Sequence, residues 1–163
     1  MKRLLVMRHA KSDWSAGALR DHDRPLNARG VEAARRMGTL LEEIGQVPDL
    51  IVSSSAVRAR RTVELAAEAG EWGAPIRIEP GLYGTSAASA MRVVSTTAET
   101  VERLMIVGHQ PAWGALVADL TGGAVQMKTA TVAIIDLMLG RSWKLHEPAH
   151  GELVALLQPR HFA

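Results

Sequence analysis

Short runs rich in valine, isoleucine and leucine alternate along this chain with stretches whose apolar residues recur every three to four positions. That alternation points to an α/β domain with a largely parallel sheet, because each parallel connection needs a crossover long enough for a helix. Strands are predicted at residues 3 to 7, 49 to 52, 76 to 78 and 104 to 107. Between them a helix is expected from an Asn27 cap to about Ile44, stopped by Gly45. A second should run from a cap among Ser53, Ser54 and Ser55 to Gly70. A third, capped by Thr85 or Ser86, places Ala87, Met91, Val94 and Ala98 on one face. The fourth has Pro111 in its first turn, with Trp113, Leu116, Val117 and Leu120 inward, and ends at Gly122 and Gly123. TATVAIIDL and GELVALLQP supply two final strands, with SWKL a candidate for another. Their connections are too short for crossover helices, so antiparallel pairing is expected near the C-terminus.

Composition removes several function classes. The chain has 163 residues, no cysteine and a formal net charge of +2. One domain over residues 1 to 163 is expected, with a core large enough to need no covalent staples. The missing thiols exclude disulfides, iron–sulfur clusters, thiolate zinc sites and a cysteine nucleophile. No apolar run is long enough for a membrane span, and MKRLLVM reaches Arg8 and His9 too soon for a signal peptide, so a cytoplasmic protein is expected. Residues 1 to 61 carry 12 basic against 7 acidic side chains, and the rest 7 against 10. The basic excess is therefore local, without the long basic runs of a nucleic-acid surface, and neither nucleic acid nor membrane is an expected partner.

Three predicted strands lead into basic or imidazole side chains. The first ends in Arg8 and His9, the second runs into the helix turn bearing Arg58, and the fourth ends in Gly108 and His109. In an open parallel sheet the carboxyl ends of the strands share one edge, where ligands bind, so these residues should converge. Arg58 shares its helix face with Thr62, Leu65, Ala66 and Ala69, the face that packs on the sheet. A guanidinium there needs an anion, and helix N-termini favour one too. The combination describes a phosphate pocket.

LLVMRHAKSDW, DRPLNARG, SSSAVRARRT and IVGHQP, in that order, resemble the motif series of the histidine phosphatase superfamily, and most closely its small SixA-like branch of phosphohistidine phosphatases. The resemblance spans residues 3 to about 120. It implies a phosphoglycerate mutase-like fold, a three-layer αβα sandwich with a mostly parallel central sheet. It assigns His9 as nucleophile and Arg8, Arg58 and His109 as the phosphate clamp, with Arg24 of DRPL as a further phosphate-binding residue. The implied reaction is metal-independent and needs no cofactor: an imidazole nitrogen attacks phosphorus, and water hydrolyses the resulting phosphohistidine. Arginine forks stabilise the charge on the equatorial oxygens.

Substrate is narrowed by one position. Larger members of the superfamily carry a proton-donating carboxylate after the third strand, where this chain reads IEPGLYGTS and Glu79 is the sole candidate for a general acid. Without an acid, an alkoxide leaves poorly while the imidazole of a phosphohistidine can leave neutral. A phosphorylated protein is therefore the first expectation for the substrate, a small phosphorylated molecule the second, and a non-catalytic phosphate-binding module the third. Lys11, Ser12 and Asp13 are expected to shape the loop. The string HEPAH at 146 to 150 matches the H-E-x-x-H zinc pattern, but its proline interrupts the helix that such a site needs, so no metal is expected there.

Overall fold

A computed structural model describes residues 1–17, 20–145 and 151–162. The strands are β1 (Lys2–Arg8), β2 (Leu50–Ser54), β3 (Ile76–Glu79), β4 (Arg103–Gly108), β5 (Val132–Leu137) and β6 (Gly151–Leu157). The helices are α1 (Ala28–Glu43), α2 (Val57–Ala69), α3 (Ala87–Ser95) and α4 (Ala112–Thr121). One six-stranded sheet has the order β3-β2-β4-β1-β5-β6. Pairings among β1 to β4 are parallel, while β5 runs antiparallel to both β1 and β6, as the short C-terminal connections require.

The sheet is buried on both faces because its central strands are apolar at every position from Leu4 to Met7 and from Leu104 to Val107. Leu5, Met7, Ile51, Met105 and Val107 pack against α1 and α2. Leu4, Val6, Leu104 and Ile106 point the other way, against α3 and α4. The result is the expected αβα sandwich, with β1 and β4 at its centre. Among the described residues no helix is long and apolar enough to cross a membrane.

Caps follow the sequence at most ends. The Asn27 side chain accepts the Gly30 N–H at 2.8 Å, Ser86 accepts the Ser89 N–H at 3.1 Å, and Gly122 closes α4 in the left-handed conformation. Three expectations need correction. Ser53 and Ser54 finish β2, so Ala56 takes the cap position of α2 and no side chain caps it. Helix α3 stops at Ser95, leaving Ala98 outside. SWKL forms no strand; Trp143 instead buries its ring in the α3/α4 core and donates its indole N–H to Val101 O at 2.8 Å.

Trp113 ties this core to the edge where the histidines emerge. Its indole N–H donates to Met7 O at 2.9 Å, and its ring crosses Gly108 so closely that a Cβ there would lie 2.6 Å from ring carbon Cζ2. Trp113→Ala is expected to cost about 3–5 kcal/mol, seen as a lower urea midpoint with an unchanged m-value.

Candidate active site

Four chain segments build the site. His9 follows β1 directly, and its backbone is locked from two sides: its N–H donates to Gly108 O at 2.9 Å, and its carbonyl accepts the Ala130 N–H at 3.0 Å. Ala10 N–H donates to Thr62 Oγ1 at 2.9 Å, and Thr62 in turn donates to Arg58 O at 2.6 Å, so α2 is keyed to the end of β1. His109 follows β4. Ahead of α1, Ser12 forms a bridge with Leu26, and the Asp13 N–H donates to Pro25 O at 2.8 Å.

The tautomer of His9 is dictated by its neighbours. Its Nδ1 lies 2.7 Å from Ala10 O, which can only accept, so Nδ1 carries the proton. Nε2 is left with its lone pair, and the Nε–H of Arg58 points at it from 3.4 Å. The His109 ring lies 5.2 Å from that of His9, with its Nε2 2.8 Å from Ser54 Oγ. Arg8 donates from Nη1 to Met127 O at 3.0 Å. Among the described residues Arg8 Nε, Arg24 Nε and His109 Nδ1 are buried without a hydrogen-bond partner in the chain. Polar atoms left so are costly unless something else engages them, and an anion would.

Asp21, which sequence reasoning passed over, joins the cluster. Its carboxylate accepts from Arg24 Nη2 at 2.9 Å, Arg58 Nη2 at 3.1 Å and Tyr83 Oη at 2.7 Å, and its carbonyl accepts from Arg58 Nη1 at 2.7 Å. The tyrosine hydroxyl and the two guanidinium groups hold its carboxyl far below the usual carboxylate range. Arg24 also donates to Ser12 Oγ and stacks on the Trp14 ring at 3.6 Å. The ion partner of Arg24 is thus Asp21, whereas Asp23 pairs with Arg20 and His22.

Of the residues singled out from sequence, Arg8, His9 and Arg24 line one cavity of about 140 Å³ together with Lys11, Ser12, Trp14 and Thr129. Arg58 and His109 flank His9 directly. Glu79 stands apart: its Oε1 accepts the Gly81 N–H at 3.0 Å and caps the turn after β3. Among the described residues no hydrogen bond or ion pair joins it to the cluster. HEPAH lies outside the described residues, and among those described no group of three or more potential ligands is placed to hold a metal ion.

Burial, reinforced by the cations of Arg58 and Arg8 and by His109, lowers the His9 pKa to about 3. Burial and Arg58 lower that of His109 to about 4. Both rings are neutral at pH 7 and unwilling to protonate. Unfolded, each would take up a proton near its ordinary value of 6.5, so below that pH the unfolded state binds more protons than the folded one. Stability should therefore be full above pH 6.5 and fall as pH drops toward 4. Urea midpoints at pH 7.5 and 5 test this, and His109→Asn should flatten the slope between them.

The carboxyl edge of the parallel strands, where α/β domains place their ligands, thus brings Arg8, His9, Arg58 and His109 together, with Arg24 joining Arg8 and His9 in the lining of a small cavity. A model described as histidine phosphatase superfamily (branch 1) matches residues 4–89, and the chain belongs to that family. Uncharacterized proteins of Mycobacterium tuberculosis and Arabidopsis thaliana, the latter chloroplastic, are its relatives. The first is 33% identical over 94% of this chain and 100% of its own length, the second 31% identical over 97% and 78%. The solved structure of an Agrobacterium tumefaciens chain, provisionally described as phosphohistidine phosphatase SixA, superposes with a TM-score of 0.78 at 28% identity, covering 97% of this chain and 98% of that one.

Proposed function

We propose that this chain is a phosphohistidine-type phosphatase acting through a covalent intermediate on His9, and that its natural substrate is phosphohistidine in a protein. The observation that carries the reading is the state of the one carboxylate that touches the cluster among the described residues. Asp21 is held ionised by Arg24, Arg58 and Tyr83, so it has no proton to give a departing alkoxide. A phosphorylated imidazole does not need that proton from the protein. Protonated on its remote nitrogen by solvent, it leaves as neutral imidazole.

In the first step the Nε2 lone pair of His9 attacks phosphorus, and the bond from phosphorus to the substrate nitrogen breaks, its electrons staying with the departing ring. Arg8, Arg58, Arg24 and His109 hold the phosphoryl oxygens; the unpartnered Nε atoms of Arg8 and Arg24 supply the free donors. In the second step water attacks phosphorus, the bond to His9 breaks, and phosphate leaves with the neutral imidazole restored. The likeness to the SixA-described chain supports the same substrate class. So does the cavity, which is smaller than the roughly 300–1,000 Å³ usual for sites that enclose a metabolite.

The test compares release of phosphate from a phosphohistidine protein, phosphoserine and sugar phosphates by the same preparation. The phosphohistidine protein should exceed both esters in kcat/KM by at least a hundredfold. Faster turnover of a sugar phosphate would mean that an acid is supplied after all and would replace this substrate assignment.

A further inference from the structure

Trp14 is 78% exposed, more than any other large apolar side chain described. Exposure of an indole forgoes burial of the largest apolar surface a side chain offers, so a fixed, exposed tryptophan beside a reactive group calls for an occupant. Trp14 is fixed. The residues just before it are stapled to Leu26 and Pro25, by the Ser12–Leu26 bridge and the Asp13–Pro25 bond, and the turn that contains it is closed by Asp13 Oδ1, which accepts the Ser15 N–H at 2.8 Å and the Ser15 hydroxyl at 2.6 Å. Its ring rests on the Arg24 guanidinium, itself anchored by Asp21 and Ser12.

Its position is equally specific. Trp14 and Arg24 form the shared wall between the cavity that contains His9 and a neighbouring one of about 220 Å³ bounded by Asp13, Ala16, Gly17 and Asp21. The inner cavity has room for a phosphoryl group and the first atoms bonded to it. A group held there has the indole among the side chains that line its surroundings, and the indole also borders the larger space next door.

We propose that Trp14 is a specificity-determining residue: its indole packs against the planar ring that bears the phosphoryl group and so selects aromatic phosphoryl donors, those with phosphorus on a ring nitrogen above all. The ring is held next to a guanidinium that is already paired, so Trp14 offers a rigid apolar platform while Arg24 serves the phosphate. The proposal rests on the phosphatase reading given above.

Two small donors with the same phosphorus–nitrogen bond separate the possibilities: phosphoimidazole, whose leaving group is a planar ring, and phosphoramidate, whose leaving group is ammonia. Wild type, Trp14→Ala and Trp14→Phe are compared on both. Trp14→Ala should lose about tenfold in kcat/KM on phosphoimidazole and less than about twofold on phosphoramidate, as expected for loss of one ring-on-ring contact. Trp14→Phe should recover most of the loss. An equal loss on both donors would show that Trp14 only props Arg24, and no loss on either would show that it meets nothing; each result overturns the proposal and leaves the phosphatase reading standing. A wild-type protein that turns over neither donor discards both.

Discussion

Alanine in place of His9 is expected to abolish the acid-labile phosphoryl label that wild type acquires from a phosphoryl donor, and to lower kcat/KM by about four orders of magnitude or more. The size follows from the absence of a substitute. Among the described residues His109 is the nearest second imidazole, but its Nε2 is engaged with Ser54 and its ring stands 5.2 Å from that of His9. The chain offers no thiol. The fold should tolerate the change, because the contacts that lock this position are backbone bonds to Gly108 and Ala130. An unaltered urea midpoint at pH 7.5 alongside lost activity would separate chemistry from stability. Residual turnover within tenfold of wild type would show that phosphorus is attacked by water directly and that His9 is no nucleophile.

Arg58→Ala carries the second large effect, a loss of about three orders of magnitude in kcat/KM, together with weaker inhibition by inorganic phosphate. One side chain here does three jobs at once: Nε points at the His9 lone pair, Nη1 binds Asp21 O and Nη2 binds its carboxylate. Lysine has a single charged nitrogen and cannot reproduce that fork, so Arg58→Lys should recover little. Asp21 retains Arg24 and Tyr83 in either variant, which limits the structural damage. Full activity in Arg58→Lys would reduce the role of Arg58 to plain charge.

What the sequence disclosed about this site and what it hid have the same physical origin. His9 and His109 follow apolar strands that could only be central, and Arg58 breaks an apolar helix face, so each stood against a periodic background. Asp21, Tyr83, Ser54 and His22 sit in turns or at a strand end, where polar residues are unremarkable and spacing says nothing about which will meet. Asp21 and Tyr83 are 62 positions apart, and only the fold brings them together. The chain's one tyrosine, set in EPGLYG close to the expected site, was the available hint. The serine caps on α2 failed because the hydroxyls had other employment: Ser54 serves His109 and Ser55 meets His22 Nε2 at 2.9 Å. The Ala98 and SWKL expectations failed where tertiary packing overrode a short apolar pattern.

Strand β1 lies between β4 and β5 with apolar cores on both faces, and His9 emerges from its end. Amide hydrogens of Leu4 to Met7 should consequently exchange only through complete unfolding, whereas the rim that carries Trp14, Asp21 and Arg24 is joined to the body by side-chain contacts. An evolving lineage can thus redraw the rim, and with it the choice of substrate, one exposed residue at a time, while the reactive nitrogen stays mounted on the part of the molecule least free to change.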